Sequence, residues 1–182
     1  MPYHHLALAT RDMPAIHKFY SQAMGFDLVK VERGPTPEGG FAKHFFFDTG
    51  AGEMMAFWEL HVNTLPQKFE TGISKAVGLP QWVNHVAFAA DSVDDLMKRK
   101  QRLLDCGYDV LEIDHNWCYS IYTEDPNGTL VEFCVTTGEF SAADAEEAKR
   151  AVLSDDIEER PHKGTMALHR TTVKPPAHLR ED

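Results

Sequence analysis

The sequence predicts an α+β fold built from two copies of a βαβββ module, and three observations carry that prediction. The runs His5-Leu-Ala-Leu-Ala and His85-Val-Ala-Phe-Ala, eighty residues apart, open with the same residue and alternate as half-buried strands do. Each is followed by a capped helical segment and a glycine, Gly25 lying 20 residues after His5 and Gly107 lying 22 after His85. Behind each glycine come three strand-like stretches, the last two folded around a turn. An internal repeat of this kind is one supersecondary unit used twice.

The elements follow in order. Tyr3 to Thr10 reads as a strand. Asp12 caps a helix through Met24, with Pro14 tolerated in its first turn and Ile16, Phe19, Tyr20 and Met24 as its apolar stripe. Gly25 stops it, and Phe26 to Val31 returns as a strand. Residues 33–41 are loop by composition. Lys43 to Asp48 and Glu53 to Leu60 form a hairpin around Thr49-Gly50-Ala51-Gly52. A connection rich in Pro and Gly follows, with a short helix expected near Ile73 to Val77. The second copy has a strand at Trp82 to Ala90 and a helix from the Ser92 cap to Cys106. A strand at Tyr108 to Ile113 comes next, then a hairpin of Trp117 to Thr123 and Thr129 to Val135 around Asp125-Pro126-Asn127-Gly128. Ser141 caps a helix to Leu153, and residues 154–182 are polar with three prolines, an extended arm or disordered tail. The organisation is therefore a first module at 1–62, a connection at 63–81, a second module at 82–138 and a C-terminal helix and tail at 139–182.

Composition narrows the function. With 43% hydrophobic and 25% charged residues, the 182-residue chain reads as an ordinary globular protein. A net charge of -10 argues against nucleic acid or an acidic membrane as partner. Cys106, Cys118 and Cys134 are odd in number and lack Cys-x-x-Cys spacing, which disfavours a disulfide framework or zinc–thiolate site. Neither a signal peptide nor a membrane-length apolar run is present, so a cytoplasmic setting is expected. His162, His169 and His178 fall in the polar tail and are expected to be solvated.

Several segments together resemble the vicinal oxygen chelate superfamily of glyoxalases, extradiol ring-cleaving dioxygenases and fosfomycin or bleomycin resistance proteins. They are His-Leu-Ala-Leu-Ala-Thr-Arg-Asp at 5–12, Phe19-Tyr20 with Gly25-Phe26, His85-Val86-Ala87-Phe88, and Ser120-Ile121-Tyr122 through Asp125-Pro126-Asn127-Gly128 to Glu132. The resemblance covers residues 3–138 and is most specific in its last segment. It implies that the strands form a cup-shaped mixed β-sheet half-barrel with helices outside and a divalent metal within. Carried over by position, the ligands are His5, His85 and Glu132. Such a 2-His-1-carboxylate triad leaves open positions suited to Fe(II) with substrate and O2, and Mn(II), Ni(II) or Zn(II) are the other metals to weigh. His4 adjoins His5 but points to the opposite face of its strand.

Two activities compete. In glyoxalases a fourth ligand comes from the first module, and Glu59 is the candidate. Aligning Gly52 with Gly128 places Ala56 opposite Glu132, however, and the odd offset puts Glu59 on the other face unless a bulge intervenes. An empty fourth position suits an extradiol-type dioxygenase cleaving a small aromatic diol. Tyr122, ten residues before Glu132, resembles the tyrosine that hydrogen-bonds a substrate oxygen in those enzymes, and His115 resembles their acid–base residue, where relatives can carry Arg. His44 could also enter the cup. Phe46, Phe57, Trp58, Phe88, Trp117 and Phe133 divide between core and pocket. A metal-free binding protein on the same scaffold is the third reading. The expected partners are a small-molecule substrate and a second copy in a homodimer, with the site either within one chain or across the pair.

Overall fold

The computed structural model describes residues 3–66, 68–154 and 164–174. Both repeats fold as the alternation requires. The first gives β1 (His5–Thr10), α1 (Met13–Lys18), β2 (Asp27–Pro35), β3 (Phe41–Gly50) and β4 (Glu53–His61) in a sheet of order β1-β4-β3-β2. A short α2 (Ile73–Ala76) lies in the connection. The second gives β5 (His85–Ala89), α3 (Val93–Asp105), β6 (Val110–Asp114), β7 (Cys118–Glu124) and β8 (Leu130–Thr136). After α4 (Ala142–Ala151), β9 (Met166–His169) adds a fifth strand, in the order β5-β8-β7-β6-β9. In both sheets the first strand of the module runs parallel to its last, and the other pairings are antiparallel.

The helix caps are those expected from the sequence. Asp12 accepts from the Ala15 amide at 2.9 Å and Ser92 from that of Asp95 at 3.1 Å. Ser141 and Asp144 close a reciprocal capping box. The first helix departs from expectation. After Lys18 it widens into a π segment, Phe19–Ala23, in which the Met24 amide bonds the Phe19 carbonyl at 3.0 Å. Gly25 then turns the chain at φ +84°, where a side chain would also collide with Arg102 of α3. Arg102 donates to the Gln22 and Ser21 carbonyls at 2.6 and 3.3 Å, closing the end of the first module's helix from the second.

Other boundaries shift for identifiable reasons. Arg33 to Pro35, expected as loop, are the end of β2, paired with Lys43 to Phe41, and the Arg33 guanidinium lies 3.8 Å over the Phe41 ring. Trp82 to Asn84, expected as strand, form a turn tied to the connection, with the Asn84 amide on Ser74 Oγ at 2.9 Å. Of the tail, residues 155–163 and 175–182 lie outside the described residues, His162 and His178 among them. His169 is not merely solvated, because its Nε2 lies 2.8 Å from the Glu112 carboxylate.

One core serves both modules. Ile16, Phe19 and Tyr20 have no exposed surface, and they share it with Phe57, Leu96, Leu103, Tyr108 and Phe133. Burying side chains of this size contributes roughly 2–3 kcal/mol each. Phe19 meets Tyr108 at 4.9 Å and Phe26 meets Phe88 at 4.9 Å across the module boundary. Polar bonds reinforce it. Thr10 Oγ1 donates to Asn127 Oδ1 at 2.8 Å, Asn127 Nδ2 to the Ala9 carbonyl at 3.1 Å, and the Tyr20 hydroxyl to Asp125 Oδ2 at 3.1 Å. The modules thus meet through their helix-bearing faces. The opposite faces, which carry His5 and His85, turn away from the shared core.

Candidate active site

The alternation that buries Val86 and Phe88 leaves His85, Ala87 and Ala89 on the open face of the second sheet. Strand β8 is the parallel neighbour of β5, with Ala87 opposite Glu132. This brings His85 Nε2 to 3.1 Å from Glu132 Oε2, and the Glu132 side chain is only 6% exposed. On the other ring nitrogen, His85 Nδ1 lies 3.1 Å from the Trp82 carbonyl. A carbonyl can only accept, so Nδ1–H donates to it and Nε2 is the ring nitrogen that faces Glu132.

The next strand completes the cluster. Tyr122 of β7 sits opposite Glu132 in register, and its ring centre is 6.1 Å from that of His85. Burial, followed by the nearby Glu132 charge, pushes the Tyr122 hydroxyl pKa up, so it stays protonated. His115 lies in the β6–β7 turn, and its Nε2 is 2.8 Å from that hydroxyl. Cys134, also beside Glu132, has its thiol pushed up to about 11, chiefly by burial. His85, Glu132, Tyr122 and His115 are therefore one constellation within the second module.

His5 is elsewhere. It is exposed on the open face of the first sheet, 5.6 Å between ring centres from Phe46 and 6.0 Å from His44. His44 is 6% exposed, stacked on Trp58 at 3.8 Å, and its buried Nε2 has no hydrogen-bond partner among the described residues. Burial, and then the neighbouring His5, lowers its pKa. Glu59 lies on the helix side of β4, where it accepts from Lys43 at 3.2 Å and the Met13 amide at 3.3 Å and meets His61 at 2.8 Å. The fourth-ligand geometry is therefore not formed. Ala56 holds the equivalent place, opposite Ala7 in register as Glu132 is opposite Ala87, and it is fully buried. Of the aromatic candidates, Phe57, Phe88 and Phe133 belong to the core. Trp58 lines a concavity of about 910 Å³ with Ala7, Ala9, Glu32 and Leu60.

The pair His85 and Glu132 suits a divalent metal. Two ligands at about 2.1 Å from one ion and at right angles to each other are about 3 Å apart, and their donor atoms here are 3.1 Å apart. Among the described residues, no three His, Cys, Asp or Glu side chains are grouped to hold a metal ion, because His5 does not reach the pair. The Trp82 carbonyl that orients His85 could not be anticipated, since a backbone carbonyl leaves no trace in residue type.

Residues 3–133 match the family model described as Glyoxalase/Bleomycin resistance protein/Dioxygenase superfamily. The fold is similar to that of a glyoxylase/bleomycin resistance protein/dioxygenase domain from Frankia sp. EAN1pec, at 17% identity and TM-score 0.57, covering 75% of this chain and 98% of that one. It is likewise similar to a lactoylglutathione lyase from Agrobacterium tumefaciens (22%, TM-score 0.50, 74% and 92%). An antibiotic-binding protein, TnmS3 from Streptomyces sp. CB03234, is comparable (17%, TM-score 0.50, 75% and 97%). At these identities the likeness is one of fold. The comparison with curated proteins returns no match.

Proposed function

Because the chain belongs to the glyoxalase/bleomycin resistance protein/dioxygenase superfamily, we propose that it is a metal-dependent, extradiol-type dioxygenase cleaving a small aromatic diol. The observation that carries this reading is the constellation of His85, Glu132, Tyr122 and His115 on one open sheet face. His85 and Glu132 would hold Fe(II), with Ala56 leaving the fourth protein position empty. When bound, the metal would acidify the diol and hold it beside O2. Both atoms of O2 enter the ring-opened product, so no external reductant is required.

This chain's own groups handle the protons. The Tyr122 hydroxyl would stand between a diol oxygen placed over β7 and His115 Nε2, 2.8 Å behind it. It accepts the proton the diol releases while passing its own to Nε2, and the same relay runs in reverse during ring opening. His85 is held in a single tautomer by the Trp82 carbonyl. The glyoxalase-like alternative finds no such support, since Glu59 is engaged on the other face of β4.

The third ligand, His5, comes from a second copy in this reading. Among the described residues β1 and β5 are each paired on one side only, at the edges of their sheets. Both edges carry small exposed side chains, Ala7 and Ala9 on one and Ala87 and Ala89 on the other. Unsatisfied edge strands invite a partner. A two-fold dimer that apposes β1 of one copy to β5 of the other joins the two open faces into a cup and delivers His5 to His85 and Glu132. The test is complementation. His5→Ala and His85→Ala variants are each expected to be inactive, and mixing and refolding them together restores about a quarter of wild-type activity, since half the dimers then hold one intact site. Inactivity of the mixture, with heterodimers demonstrably present, refutes the shared site. Full activity of either single variant refutes the triad.

A further inference from the structure

Strand β9 lies outside the family-matched residues and, among the described residues, has no counterpart in the first module, whose sheet ends at β2. Its register continues the candidate site. Glu132 is opposite Tyr122, Tyr122 opposite Leu111, and Leu111 opposite Leu168, one line of side chains across four strands. A parallel line runs through Ser120, Ile113 and Met166. Directly opposed residues share a face. Glu112, between Leu111 and Ile113, points the other way to Lys100 of α3 at 2.6 Å. Leu168 and Met166 therefore stand on the same face as Glu132 and Tyr122.

Both are apolar yet 53% and 68% exposed. The strand that carries them is nevertheless firmly anchored. The Thr171 amide donates to Asp109 Oδ1 at 2.8 Å, Thr171 Oγ1 to the Leu104 carbonyl at 2.7 Å, and His169 meets Glu112 at 2.8 Å. Six residues, 166–171, thus hold two exposed apolar side chains in line with the metal-binding carboxylate.

We propose that Leu168 and Met166 form the far apolar wall of the substrate pocket, and that the substrate is an aromatic diol carrying an uncharged apolar arm. This rests on the dioxygenase reading. From Glu132 to Leu168 the line crosses three strand spacings, about 14 Å. A diol ring beside Glu132 and over Tyr122 fills the first of them and leaves about two for the arm. Beyond Tyr122 and its partner His115, the described residues of those two lines are Leu111, Ile113, Leu168 and Met166, which suits an alkyl or aryl group.

The test is a series of 4-n-alkylcatechols with arms of zero to about six carbons. Their affinities for the full-length, Fe(II)-loaded protein are measured by calorimetry without oxygen, and O2 uptake is measured separately. The expected dissociation constant falls about fourfold per added methylene. Leu168→Ser with Met166→Ser flattens that gradient and leaves affinity for unsubstituted catechol within about twofold, while Leu168→Ile keeps it. Both positions are exposed, so the variants are expected to fold, and their circular dichroism checks this. Affinity independent of arm length in the wild type, or a gradient unchanged in the double variant, overturns the wall. A gradient without O2 uptake from any member upholds the wall and removes the dioxygenase reading. O2 uptake from catechol without a gradient does the reverse, and neither binding nor uptake removes both.

Discussion

Asp125 sits where the two modules are fastened, and its ionisation couples their joint to pH. Its Oδ1 accepts from the Asn127 and Thr129 amides, both at 2.9 Å, and its Oδ2 from the Tyr20 hydroxyl at 3.1 Å. Burial pushes its pKa up to about 7, with the nearby Glu124 charge adding to the effect and these hydrogen bonds opposing it. Tyr108 also faces it, and the Asp125 charge helps to raise that phenol's pKa. The unfolded carboxyl has its ordinary value of 3.8. Because the folded state holds this proton more tightly, the associated stability is fully present below about pH 4 and is lost as pH rises to about 7. About three units correspond to about 4 kcal/mol over that window. Asp125→Asn keeps an acceptor for the two amides and cannot ionise, so its stability lacks this dependence. Urea unfolding followed by tryptophan fluorescence at intervals from about pH 4 to about pH 8 measures both proteins. The difference, wild type minus variant, is expected to fall by about 4 kcal/mol across the range. Other titrating groups, the histidines included, cancel in that difference. Parallel curves for the two proteins would refute the assignment of a raised pKa to Asp125.

Two further outcomes follow from the site and the fold. On the proposed dioxygenase reading, Tyr122→Phe removes the hydroxyl between diol and His115, and kcat is expected to fall about 100-fold or more with KM and iron content little changed. Loss of iron would instead make Tyr122 a structural support of Glu132, and steady-state kinetics with metal analysis separates the two. Gly40→Ala forces φ +85° on a residue whose Cβ would strike the His61 carbonyl. It is expected to lower stability by about 1–3 kcal/mol in the same urea assay without altering the iron content of the folded fraction.

Much of this was legible in the primary structure because it is local and periodic. The twofold alternation after His5 and His85 fixes which residues share a sheet face, and counting from Gly52 and Gly128 pairs Ala56 with Glu132. The same parity places Glu59 on the far face, where β4 holds it against Lys43. Tyr122 and Glu132 are partners across a short hairpin, so their proximity follows from the turn between them.

What the sequence by itself determined, then, is the pair of modules, the two faces of each sheet and the residues that each face displays. Tertiary structure alone decided how those faces are used. Each module has an apolar stripe, but periodicity does not say whether the two stripes meet each other or cover something else. Their union through Phe19, Tyr108, Phe26 and Phe88 is what turns His5 and His85 away from the shared core and leaves β1 and β5 as open edges. Arg102 reaching Gln22, the Trp82 carbonyl behind His85, and the return of Met166–His169 onto β6 are equally non-local. A four-residue strand in a polar tail carries too short a pattern to announce itself. It forms because Asp109, Glu112 and the unpaired edge of β6 are already in place to receive it.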